Sequence, residues 1–507
     1  MTSLVAPIIT HAETTPDHEA LRGPAGSLTY AQLVGEVKAY AGMLAARGVA
    51  PGDRILFIGP TLPEFVVGYL GIHAAGAIVV PVNPLCTPAE LSYFIDDAGC
   101  RLAIAWESLA SAARTAASEK GIDFLTLSAG ATADADAITD VHDFDDADIA
   151  MLLYTSGTTG RPKGAELTTG NLTAAARISG QLSQSTADDR VGTGLPLFHV
   201  FGQAAVMLSG LHSGATVSLL PMFTPTSMID LIVKDQLTIV CGVPTMWNAM
   251  LHAPDDTPAD AFNHLRLAVS GGASLPLEVS NAFKRRFGCD ISEGYGLTET
   301  AALGTFSRPG TPSPIGTVGP AVPEVDVEVR GSDGQPVPTG ERGEVFIRGP
   351  IVMRGYWNRP DATAETIDAD GWLSTGDIGE FDEAGNLRIV DRAKELIIRG
   401  GYNVYPSEVE NALYEHPDIV EVAVVGVPDE HYGEEIAAVI ATTPGVTLDA
   451  AAVRDWANDR LASYKLPRAV HFVDALPKGP SGKILKRAID PEPLLAAVVE
   501  YRAARNG

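Results

Sequence analysis

Helix-start signals alternate with short apolar runs along much of this chain, and that alternation limits the fold more than any single motif does. Thr29-Tyr-Ala-Gln32, Thr87-Pro-Ala-Glu90 and Ser407-Glu-Val-Glu410 each put a hydroxyl three positions ahead of Gln or Glu. In such a box the hydroxyl accepts from the N3 amide while the N3 side chain reaches back. The first box leads into an apolar period at Leu33, Val37, Ala41 and Leu44 that ends at Gly48, and the second has Pro at the favoured first helical position. Between helices lie β-prone runs at 55–58, 77–80 and 102–105. The order predicts an α/β fold with mainly parallel sheets.

A chain of 507 residues is too long for one hydrophobic core. Its texture changes twice. From about 315 to 348, alternating segments such as VDVEV and EVFIR between Gly/Pro turns predict a small β-rich subdomain, about 310–390. After Asp391 the chain has its own strand candidate at 420–427, an amphipathic helix around Val453, Trp456 and Leu461, and a lysine-bearing tail. The predicted organisation is an N-terminal domain at 1–391 and a C-terminal α+β domain at 392–507.

Acids outnumber bases 63 to 36, giving a formal charge of −27. Binding to nucleic acid or anionic lipid rests on clustered Lys and Arg, so neither is an expected partner. The apolar segment 68–82 is broken by His73, three glycines and Pro81, and it predicts a buried helix and strand instead of a membrane span. Four widely spaced cysteines form no CxxC pair, and the N-terminus lacks a basic and then apolar leader; both point to a cytoplasmic protein with free thiols.

Residues 154–164, Tyr-Thr-Ser-Gly-Thr-Thr-Gly-Arg-Pro-Lys-Gly, follow an apolar run. Gly amides and Ser/Thr hydroxyls after a strand make an anion cradle. The spacing is not that of a Walker A loop. It resembles the phosphate loop of the adenylate-forming acyl-CoA synthetases, the superfamily of firefly luciferase and nonribosomal-peptide adenylation domains. Further segments follow in that family's order: Leu195-Pro-Leu-Phe-His199, Ser270-Gly-Gly-Ala-Ser274, Glu293-Gly-Tyr-Gly-Leu-Thr-Glu299, Ser374-Thr-Gly-Asp377, Val390-Asp-Arg-Ala-Lys394, Gly400-Gly-Tyr-Asn-Val-Tyr-Pro406 and Pro477-Lys-Gly-Pro-Ser-Gly-Lys483. The resemblance spans essentially the whole chain and is strongest to bacterial fatty-acid CoA ligases.

The resemblance implies a large domain of two α/β subdomains plus a small β-barrel-like subdomain, followed by a mobile C-terminal domain. It also implies ATP, Mg²⁺ and coenzyme A as cofactors. A carboxylate is a poor electrophile, and adenylation gives its oxygen a good leaving group while charge builds on phosphate oxygens. By resemblance Thr155, Ser156, Gly157, Thr158, Thr159 and Gly160 grip the β- and γ-phosphates. Lys163 either touches pyrophosphate or anchors the loop through an ion pair. Thr298 meets the α-phosphate and Glu299 binds Mg²⁺, in keeping with a hard-cation site of one carboxylate plus phosphates. Gly271, Gly272, Ala273, Tyr295 and Gly296 surround the adenine, and Asp377 and Arg392 take the ribose. Lys483 is the adenylation lysine, a compact charge suited to bridging carboxylate and phosphate. Lys394 is the hinge about which the C-terminal domain rotates, so that Gly400 and Gly401 line the pantetheine path in a second pose. His199 gates tunnel and acyl site, or is a packed core histidine.

The segments that line the acyl pocket by resemblance, 198–207, 241–250, 270–275 and 294–304, contain no Lys or Arg. A dicarboxylate needs a buried cation, and an amino acid needs an acid that 198–207 lacks. Val200, Phe201, Val243, Met246, Trp247 and Leu303 remain as an apolar lining. The expected substrate is a small-molecule carboxylic acid with an apolar tail, fatty acyl of medium to long chain ahead of an aryl or cinnamate type. CoA is the expected acceptor, with a carrier protein as the alternative. A monomer or homodimer is expected.

Overall fold

The computed structural model describes residues 3–129, 136–155, 162–254, 256–310, 314, 316–392, 395–429, 431–479 and 482–506, without the side chains of Arg392 and 503–506. Two α/β units form the large part. The first carries a seven-stranded sheet in the order Gly355–Tyr356, Lys163–Thr168, Ile149–Thr155, Ile78–Pro81, Arg54–Ile58, Cys100–Trp106 and Asp123–Leu127. Its last five strands run parallel, and Lys163–Thr168 returns antiparallel to Ile149–Thr155 with Thr155 opposite Lys163.

The second unit carries an eight-stranded sheet in the order Thr305–Phe306, Ile291–Tyr295, Leu267–Gly271, Ile239–Gly242, Arg190–Thr193, Thr216–Leu219, Glu19–Gly23 and Gly26–Thr29. Its inner strands are parallel and its edge strands antiparallel. Covered on both faces, such strands read as short unbroken apolar runs, and Ile239–Gly242 is buried along its whole length.

The capping boxes at Thr29 and Thr87 form as the sequence predicts, starting helices Tyr30–Ala46 and Pro88–Ala98. The third does not. Helix Pro406–Tyr414 begins after Tyr405 with no side-chain cap. The Ser407 amide instead donates to Asp391 Oδ2 at 3.0 Å, its hydroxyl donates to the Val390 carbonyl, and Glu410 accepts from the Val424 amide at 2.7 Å. Tertiary partners have taken both members of the local motif.

The β-rich subdomain is a four-stranded antiparallel sheet, Asp326–Arg330, Gly343–Arg348, Leu373–Phe381 and Leu387–Arg392, with Val327 opposite Ile347 and Val329 opposite Val345. The chain then enters the C-terminal α+β unit. Its sheet contains Tyr402–Val404, Ile397–Arg399, Gly433–Thr442 and Ile419–Asp429, with Ala469–Phe472 paired to Gly433–Thr442. No helix among the described residues is long and apolar enough to cross a membrane.

Candidate active site

In an open parallel sheet, loops gather where the strands end, and ligand clefts form there. Here a cleft of about 1580 Å³ opens at the carboxyl ends of both sheets, with the C-terminal unit over it. Thr155, Lys163, His199, Phe201, Val243, Gly271, Gly272, Ala273, Tyr295, Gly296, Thr298, Glu299, Leu303, Asp377 and Lys483 all line it. Most of the motifs therefore meet in one place.

Strand Ile291–Tyr295 delivers the Glu293–Glu299 segment. Just past it, Gly296 lies so close to the backbone of Ala302 that a Cβ would come within 2.3 Å of it, which fixes glycine there. The Tyr295 hydroxyl donates to Asp377 Oδ2 at 2.6 Å. Glu299 accepts from the Tyr356 hydroxyl at 2.8 Å, and Lys163 Nζ sits 4.9 Å over the Tyr356 ring. Tyr356 thus links a candidate metal ligand to a candidate phosphate-side cation. Sequence reasoning missed it, because a lone Tyr in RGYWN carries no chemical signature. No group of three or more His, Cys, Asp or Glu with metal-holding geometry occurs among the described residues.

Lys483 crosses from the C-terminal unit to the Ser270–Ala273 turn. Gly272 has φ +82°, and a Cβ on it would lie 2.6 Å from Lys483 Cε and 2.9 Å from Nζ. Positive φ and the close lysine both require glycine. The approach is held by Thr245 Oγ1, which donates to the Gly482 carbonyl at 2.8 Å, and by Asn248 Nδ2, which donates to the Val420 carbonyl at 3.0 Å. His199 lines the cleft with a buried Nε2 that has no hydrogen-bond partner among the described residues. Burial, and then the Lys483 charge, push its imidazole down to about 4, so the ring is neutral near pH 7.

Several expected residues lie elsewhere. Met246 does not face the cleft but packs with Val191, Leu195, Val206, Ile239 and Cys241 behind Val243. Trp247 is fully buried among Met228, Phe283 and Phe287. Helix Pro244–Leu251 turns Thr245 and Asn248 toward the cleft and turns Met246 and Trp247 inward. Gly400 and Gly401 form the turn between Ile397–Arg399 and Tyr402–Val404, with φ +59° and +83°, away from the cleft. Arg392 stands opposite Asp377 in the sheet, its side chain undescribed. Ser156, Gly157, Thr158, Thr159, Gly160 and Lys394 lie outside the described residues.

Two family models match the chain, "AMP-binding enzyme" over residues 9–357 and "AMP-binding enzyme C-terminal domain" over 408–483. Feruloyl-CoA synthase of an Amycolatopsis species is 38% identical, the match covering 94% of this chain and 96% of that protein. Long-chain-fatty-acid–CoA ligase of Bacillus subtilis is 34% identical, covering 94% and 91%. Among solved structures, ATP-bound MatB from Rhodopseudomonas palustris is 33% identical with a TM-score of 0.91 over 99% of both chains. By sequence and fold alike, the chain belongs to the AMP-binding enzyme family, among its AMP-forming acyl-CoA ligases.

Proposed function

We propose that this chain activates an acid with an uncharged, elongated tail as its acyl-adenylate and then transfers the acyl group to CoA. The observation that carries this reading is Lys483 seated against Gly272 in the same cleft as Thr298, Glu299 and Asp377. In that pose Lys483 bridges the attacking carboxylate and the α-phosphate, Thr298 donates to the α-phosphate, and the loop at 155–160 with Lys163 holds the outgoing pyrophosphate. Asp377 takes the ribose hydroxyls, with Arg392 beside it, and Tyr295 lies against the adenine. Glu299 would hold Mg²⁺ as a single hard carboxylate donor, leaving the ion to neutralise phosphate charge. Its bond from Tyr356 keeps that carboxylate oriented.

The glycine turn at Gly400 and Gly401 lies away from the cleft while Lys483 is in it, which supports alternation of the C-terminal unit about Lys394, just past the 391–392 boundary. Turnover of ATP, acid and CoA to AMP, pyrophosphate and thioester tests the reading, with holo-carrier protein as competing acceptor. Thioester on the carrier alone would replace CoA as acceptor. Four free cysteines, with ATP and CoA as substrates, suit a cytoplasmic enzyme.

The tail wall supports an uncharged substrate. Phe201, Val243, Leu303, Val269 and Cys241 line the head of the acyl passage, and none bears charge. A fatty acyl chain of medium to long length and an arylpropenoyl group are both uncharged tails of this kind, in line with the long-chain-fatty-acid ligase and the feruloyl-CoA synthase among the relatives.

A further inference from the structure

The two strands that carry the phosphate loop are tied together from behind by one helix. Thr155 closes strand Ile149–Thr155, Lys163 opens strand Lys163–Thr168, and the two residues stand opposite each other in an antiparallel pair. One step further in, Tyr154 pairs with Gly164, and a Cβ on Gly164 would lie 3.3 Å from the Tyr154 ring. The ring therefore lies across the strand pair. Its hydroxyl reaches helix Pro88–Ala98, donating to Asp97 Oδ2 at 2.8 Å.

Asp97 gathers the outgoing strand as well. Tyr93, one turn earlier on the same helix face, donates its hydroxyl proton to the Pro162 carbonyl at 2.7 Å and lies 3.5 Å from Asp97 Oδ1. The Trp357 indole donates to the Asp97 carbonyl at 3.0 Å, while the Trp357 amide donates to the Gly164 carbonyl at 2.8 Å. Arg359 Nη2 donates to Asp97 Oδ1 at 2.7 Å. The incoming strand is thus held at Tyr154, and the outgoing strand at Pro162 and Gly164. Neither Tyr93 nor Asp97 lines the cleft.

A loop of Gly, Ser and Thr loses chain entropy when it closes on phosphate oxygens, and fixed ends reduce that loss. The charge of Asp97 works the other way, since a carboxylate behind the loop repels phosphate and Arg359 offsets that repulsion. Geometry and charge therefore predict opposite signs for removing Asp97.

Resting on the reading that this loop and Lys163 hold the outgoing pyrophosphate, we propose that Asp97 and Tyr93 are positioning residues for the outer phosphates of ATP. They act through Tyr154 and Pro162 and touch no substrate.

Calorimetric titration of the full chain with ATP, pyrophosphate and AMP, each with Mg²⁺, tests this without an acid. AMP lacks the outer phosphates and reports any general damage to the site. Asp97→Ala should weaken ATP and pyrophosphate by about tenfold, the factor carried by one charge-assisted hydrogen bond. Tyr93→Phe removes only a hydroxyl and should weaken both by about threefold. AMP should stay within about twofold in each, and Tyr93→Phe decides alone if Asp97→Ala does not fold. ATP and AMP weakened alike, ATP unmoved in every variant that folds, or ATP tightened by Asp97→Ala overturns the proposal. Lys163→Ala separates it from the reading beneath it. If Lys163→Ala weakens pyrophosphate and the other two variants do not, the proposal alone falls; if Lys163→Ala has no effect either, the reading of the loop falls with it.

Discussion

The two ends of the cleft are built differently. At the nucleotide end the polar side chains already hold one another: Tyr295 donates to Asp377, Tyr356 donates to Glu299, and Lys163 lies over the Tyr356 ring. At the tail end the cleft is walled by Phe201, Val243, Val269, Leu303 and Cys241, none of which bears charge. A site for an invariant ligand gains from groups oriented in advance, because little reorganisation remains when charge develops. A site that must choose among tails gains from an uncharged wall, because a charged tail buried against it would have no partner. The nucleotide end serves rate and the tail end serves choice.

Substitutions can break that division. Lys483→Ala should lower acyl-adenylate formation by at least ~10²-fold, the scale of removing one transition-state donor. Thioester formation from supplied acyl-adenylate should survive; an equal fall in both half-reactions would refute the assignment of Lys483 to one pose. Gly272→Val puts a side chain where Lys483 passes and where φ is positive, so adenylation should drop about tenfold while the thioester step again holds. Stopped-flow measurement of each half-reaction reads both variants. Tyr356→Phe removes only the bond that orients Glu299, so a rise of about threefold in the Mg²⁺ requirement is expected, with tail preference unmoved.

The smallest effect concerns pH. Burial raises the Glu293 carboxyl to about 8, opposed by the hydrogen bond from the Leu275 amide. A raised folded value means the native state keeps a proton that the unfolded chain releases near 4.5, so this stabilising contribution is complete below 4.5 and is lost as pH rises toward 8. Glu293→Gln should therefore flatten the thermal midpoint between pH 5 and 8, gaining roughly 2 °C at the upper end. Scanning calorimetry across that range checks it; a parallel shift at every pH would rule out titration as the cause.

The nucleotide end was readable from sequence because its constraints are local. Gly272 must be glycine for one turn and one lysine, and Gly296 for one backbone contact. The helices at Thr29 and Thr87 were readable for the same reason. Ser407 shows the limit, since the same pattern of residues serves Val390, Asp391 and Val424 instead of its own helix end. Met246 and Trp247 were misassigned because composition does not say which side of helix Pro244–Leu251 faces the cleft.

The central claim is that one cleft adenylates an acid whose tail is uncharged and long. Acid-dependent ATP–pyrophosphate exchange without CoA tests it most directly, across acids from acetate to palmitate with benzoates, cinnamates, malonate and amino acids. The account predicts exchange with elongated uncharged acids and none above background with malonate or amino acids. Exchange led by a dicarboxylate, an amino acid or acetate would contradict it.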